Sequence, residues 1–112
     1  MISSTEEAIL ILKKWQSSSR ELRMVFGSNH ALMTSYGKVQ SVDDPSSIWC
    51  IGEEMGAEIR FDLAAAGSVA FIDSGGVPEG LEFLSGIIDE SISMVWADGT
   101  RLNLVAEKPS NQ

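Results

Sequence analysis

The apolar residues of this chain change period at Arg20, and that change restricts the folds open to it. Before it, Ala8, Ile11, Leu12 and Trp15 recur at i, i+3, i+4 and i+7, the stripe of an amphipathic helix. After it the repeat is two. Leu22, Met24 and Phe26 alternate with Arg23 and Val25, and Ile59, Phe61 and Leu63 alternate with Arg60 and Asp62. A period of two belongs to a strand with one face buried. The chain therefore reads as one N-terminal helix followed by a β-rich body.

The helix is predicted from about Ser4 to Gln16. Ser3 and Ser4 each have a glutamate three residues on, the spacing of a capping box, and Glu6 and Glu7 suit the positive end of a helix dipole. Lys13 and Lys14 suit the other end. Burial of its Ile, Leu and Trp side chains would contribute about 1.5–3 kcal/mol each, so the helix must pack on something. Ser17, Ser18 and Ser19 close it.

Turn signals divide the rest. Gly27-Ser28-Asn29 follows the first strand. His30 to Val42 is long and carries Gly37, where a bulge or bend is expected. Asp43-Asp44-Pro45-Ser46 turns into a short apolar strand, Ile48–Ile51. Residues 52–56 turn again before the alternating run to Leu63. Val69–Ile72 is a strand, 73–80 a glycine-rich loop, and Ile92–Trp96 and Arg101–Ala106 are strands joined across Asp98-Gly99, a strong hairpin signal. Residues 64–67 and 79–90 carry no clear assignment. Lys108 to Gln112 is a polar tail.

A helix and about six short antiparallel strands, with a glycine bend in the second, predict a mainly β domain (α+β by strict count). The sheet is expected to be strongly bent or closed into a small barrel. Sm-like and SH3-like barrels have a similar order of elements, which is a comparison of architecture, since no residue motif of either family is present. The 112 residues suit one domain, with a helix at 4–16, a β-rich body at 20–107 and a tail at 108–112. Apolar types make up 44% of them, enough for a core that needs neither disulfide nor metal.

Charge is unevenly spread. Residues 1–40 carry five basic and three acidic residues, and residues 41–112 carry three basic and thirteen acidic, giving the overall −8. An acidic chain is poorly suited to broad nucleic-acid binding, which neutralises phosphates with Lys and Arg. The bland reading of the acidity is a solvated, soluble surface. The sharper one is that Lys13, Lys14, Arg20 and Arg23 form an interaction surface that docks on the acidic body of another copy. Trp15 beside these residues has the composition of a single-strand nucleic-acid binder, but its place on the apolar stripe favours core packing.

Catalytic and cofactor chemistry finds little support. His30 is the single histidine and follows a turn, so a serine-based triad around Ser74 lacks a convincing base. Cys50 lies among apolar neighbours with acids nearest in sequence, the setting of a structural thiol. One His and one Cys do not make a zinc shell. The pairs Asp43-Asp44, Glu53-Glu54 and Asp89-Glu90 match no calcium loop, and no glycine pattern matches a phosphate-binding loop. No catalytic residue, metal or cofactor is assigned. No apolar run approaches the ~20 residues of a membrane span. A lone cysteine and the lack of an export signal fit a cytoplasmic protein.

The leading expectation is a non-catalytic interaction or assembly module that forms a homo-oligomer or meets another protein. A small-ligand binder with its site near the 73–80 loop is the second reading. A weak nucleic-acid binder using the basic N-terminal segment is the third.

Overall fold

The helix α1 (Thr5–Ser17) buries Ala8, Leu12 and Trp15 completely, the stripe marked by the sequence. Its outer face carries Lys13 and the exposed Leu10. A computed structural model describes residues 5–28, 30–44, 47–52, 58–72, 76–78 and 81–108, with only the backbone of 49, 51 and 52. The capping-box serines Ser3 and Ser4, the turn at 53–56 and the tail beyond Lys108 lie outside the described residues.

The helix ends in a double backbone bond. The Ser19 N–H donates to the Gln16 carbonyl at 3.2 Å and the Arg20 N–H to the Trp15 carbonyl at 3.0 Å. This is the Schellman arrangement, which places the residue after the cap in the left-handed region. That residue is Ser19, at φ 51°.

Seven strands follow: β1 (Leu22–Gly27), β2 (Leu32–Ser41), β3 (Ile48–Gly52), β4 (Glu58–Phe61), β5 (Ser68–Ile72), β6 (Ile88–Val95) and β7 (Arg101–Glu107). They form one antiparallel sheet in the order β4-β3-β2-β1-β7-β6-β5. The fold is two meanders joined where β1 pairs with β7. The segments unassigned from sequence are short 3₁₀ turns at Leu63–Ala65 and Glu82–Leu84 and the early start of β6 at Ile88. Leu63 leaves the β4 alternation for the first of these turns.

The strand order demands a bent sheet. β4 and β5 are opposite edges, yet six residues connect them. Such a link reaches at most about 24 Å when fully extended. Six inter-strand spacings in a flat sheet would take about 29 Å. Part of the link is also 3₁₀ turn, which shortens its reach. The link is pinned to the far meander. The Trp96 indole Nε1–H donates to the Asp62 carbonyl, just after β4, at 2.9 Å, while the Gly67 N–H, donating to the Val95 carbonyl at 2.8 Å, extends the β5–β6 ladder. The Phe61 and Trp96 rings meet edge-to-face, with centroids 6.3 Å apart.

The bend stops short of closure, because β4 and β5 remain the two ends of the strand order. A strongly bent sheet is thus the observed form, and the closed-barrel alternative is corrected. Helix α1 lies on the concave side, packed against β2 and β5. The core there includes Leu12, Trp15, Met24, Ile48, Cys50, Phe71, Ile92, Met94 and Leu104. A smaller cluster of Val25, Leu81, Leu84, Ile88 and Val105 covers part of the convex face. No described helix is long and apolar enough to cross a membrane.

β2 changes its partner along its length. Leu32 to Gly37 pair with β1 on one edge, and Gly37 to Ser41 pair with β3 on the other. Gly37 is the shared position, where the sequence led one to expect a bend. A bulge between Val39 and Ser41 adds twist to the second half.

Ser19 carries a Cβ in a conformation that favours glycine, and its side chain makes no hydrogen bond among the described residues. Ser19→Gly should raise unfolding stability by about 0.5–1 kcal/mol, the relief of left-handed strain less the extra freedom of the unfolded chain. Urea unfolding should show a higher midpoint with an unchanged slope.

Candidate functional site

Of the four basic residues singled out from the sequence, three are held within the chain. Lys14 Nζ lies 3.0 Å from Glu90 Oε1, and the same carboxylate accepts the Trp15 indole N–H at 2.7 Å. Arg20 donates to the Glu107 carbonyl at 2.6 Å and lies 3.5 Å from Asp89 Oδ2. Arg23 pairs with Glu107 at 3.0 Å, and its guanidinium lies 4.9 Å from the Tyr36 ring centroid. Tyr36 donates to Glu107 and accepts from Arg23. Partial burial, and then the Glu107 hydrogen bond, push the Tyr36 hydroxyl above its ordinary pKa. Lys13 is exposed, with no ion-pair partner among the described residues.

The basic N-terminal segment and the acidic body thus meet inside one molecule. Glu90 shows why the contact is structural. A buried indole N–H without an acceptor costs about 1–3 kcal/mol, and the carboxylate supplies that acceptor. Trp15 is a core residue with a polar tether, as its place on the helix stripe implied. The pair Asp89-Glu90, weighed as an oxygen-ligand source, is occupied by these contacts. Among the described residues no group of three His, Cys, Asp or Glu side chains could hold a metal.

Cys50 is completely buried on β3. Burial alone pushes its thiol up to about 12. His30 is exposed just before β2.

Two concave features remain. One is a cleft of about 250 Å³ at an open end of the bent sheet. Its walls are Phe26 of β1, Ile59 and Phe61 of β4, Leu102 of β7, and Trp96 just beyond β6. Arg60, Asp62, Asp98 and Thr100 line it as well. Asp62 is fixed by capping the 3₁₀ turn, where its Oδ1 accepts the Ala65 N–H at 3.1 Å. Asp98 Oδ1 accepts the Thr100 N–H at 2.9 Å, and this bond with the Thr100 hydroxyl holds the carboxyl below its usual range. The sequence showed Asp98-Gly99 only as a turn. The cleft assembles from separated strands, so no linear motif marks it.

The other feature is a groove of about 290 Å³ on the convex face, lined by Ala70, Ile72, Pro78, Ser93, Val95 and Asn103 among others. Pro78 belongs to the loop proposed as the roof of a ligand site. Of that loop, residues 73–75 and 79–80 lie outside the described residues, Ser74 included. Ser93 donates its hydroxyl to Asn103 across the groove. Ser91 is fully buried, and its Oγ has no hydrogen-bond partner among the described residues.

A third feature is the start of β2. Ala31 to Thr34 are all exposed, with Leu32 at 62% and Met33 at 58%. Neighbouring strand residues point to opposite faces. Exposure of both Leu32 and Met33 therefore means that neither face of this strand end is covered. Among the described residues, no strand pairs with the outer edge of Leu32–Tyr36 either. No family model, curated protein or solved structure gives a match to this chain.

The thiol carries a test. At pH 8 Cys50 should resist alkylation in the native protein and react fully once unfolded. An unfolded thiol ionises near 8.5 and the folded one near 12. The unfolded state thus gains by losing a proton across that window, and stability should fall as pH rises through it. The difference in unfolding free energy between the wild type and Cys50→Ala, measured from pH 8 upward, should show that slope.

Proposed function

We propose that this chain is a non-catalytic interaction module that assembles with copies of itself through the outer edge of β2. The observation that carries the reading is the state of Leu32–Tyr36. It is a paired strand on one edge, open on the other among the described residues, and apolar on both faces at its start. An exposed hydrophobic edge is a template for strand pairing, which natural proteins commonly cover or charge. Here the sequence from Leu22 to Val42 holds no acidic residue that would charge that edge. That stretch is the least repulsive place for two chains of net charge −8 to meet.

Edge-to-edge pairing of two antiparallel strands is self-complementary, so it closes a two-fold dimer. Leu32 of each copy would gain apolar cover, and so would Met33. The assembly surface first expected, at Lys13, Lys14, Arg20 and Arg23, lends less support, since Lys14, Arg20 and Arg23 already have partners within the chain.

Light scattering after size exclusion tests the proposal. The wild type should run as a dimer. Leu32→Lys with Met33→Lys should yield a monomer with an unchanged circular dichroism spectrum, because both side chains are exposed. A wild type that stays monomeric up to its solubility limit contradicts the reading.

A further inference from the structure

We infer that the cleft between Phe26, Phe61 and Trp96 binds an alkylated ammonium group, as an aromatic corner backed by the carboxylates of Asp62 and Asp98. This inference is independent of assembly through β2.

Phe61 and Trp96 pack edge-to-face at 76°, with Phe61 itself buried, and the exposed Phe26 lines the same space from β1. Cations are drawn to aromatic faces, and cages of several rings take quaternary ammonium ions, whose methyl groups fill the corner while the charge polarises the rings. Ile59 and Leu102 complete an apolar wall for the methyl groups. At about 250 Å³ the cleft is smaller than the usual drug-sized pocket and suits a compact headgroup.

The charges point the same way. Asp62 and Asp98 line the cleft with one cation, Arg60. Arg60 is itself 3.6 Å from the Glu58 carboxylate, so the neighbourhood of these four residues is acidic by two charges. Asp62 is held by its capping bond and Asp98 by the Thr100 N–H, so both carboxylates keep set positions beside the cleft. The indole N–H of Trp96 is spent on the Asp62 carbonyl, which fixes the ring at the cleft. Neutral apolar ligands would use the walls and waste the carboxylates. Anions would meet two of them.

The test is a titration of the full chain with choline, followed by the Trp96 indole N–H resonance. The control is 3,3-dimethylbutan-1-ol, which has choline's shape without its charge. Choline should shift that resonance saturably, and the neutral isostere should bind about ten-fold more weakly or worse. Phe26→Ala, a partly exposed position, and Asp98→Asn should each weaken choline binding about five-fold while the amide spectrum stays folded. A peptide bearing trimethyl-lysine forms a second arm. Tighter binding of choline assigns the site to free small molecules, and tighter binding of the peptide assigns it to a modified protein. Equal binding of choline and its neutral isostere overturns the inference, as does no shift with any of the cations or no effect of Phe26→Ala.

Discussion

Much of this molecule follows from the shortness of one connection. The six residues between Phe61 and Ser68 tie together strands that the pairing order puts at opposite edges of a seven-stranded sheet. A flat sheet cannot satisfy both conditions. Bending satisfies them, and it creates a concave side that a single amphipathic helix is wide enough to occupy. The same bend brings Phe61 of one meander against Trp96 of the other, and so forms the cleft. Core, helix seat and cleft are thus consequences of one topological restraint.

The charge division of the sequence acquires a structural meaning in this frame. The basic residues of the helix end and of the segment after it are distant in sequence from the acids of β6 and β7 but adjacent in space. Lys14 and Trp15 converge on Glu90, and Arg20 and Arg23 converge on the end of β7. Exposed ion pairs contribute little, about 0–1 kcal/mol each. The tryptophan tether is different in kind, because its absence would strand a buried donor. These contacts orient the helix end over the sheet, while burial of Leu12 and Trp15 supplies most of the attraction.

What could be read from the residues was what depends on near neighbours. The helix stripe from Ala8 to Trp15, the alternating or apolar runs, read as about six strands where the fold has seven, and the hairpin at Asp98-Gly99 are local signals, and each marks an element in the fold; the bulge expected at Gly37 falls instead between Val39 and Ser41. The 3₁₀ turns at 63–65 and 82–84 were not legible, because single turns have no periodicity to detect. Strand order was not legible either, since it is settled by pairing between residues as distant as Val25 and Asn103. The cleft inherits that limit. Phe26, Phe61, Trp96 and Asp98 are ordinary strand and turn residues in sequence, and only the bend makes them one site. The basic cluster was legible as composition, but its partners were not.

Contact between the two meanders is the point on which this account rests, and nuclear Overhauser effects measure it directly. Cross-peaks from the Trp96 indole to the Phe61 ring and to Asp62 are the predicted result. They would place the end of β4 against the β6–β7 hairpin in solution. A spectrum in which Phe61 contacts only β3 and its own turn, and Trp96 only its own hairpin, would describe a flatter sheet without the cleft and would contradict the account.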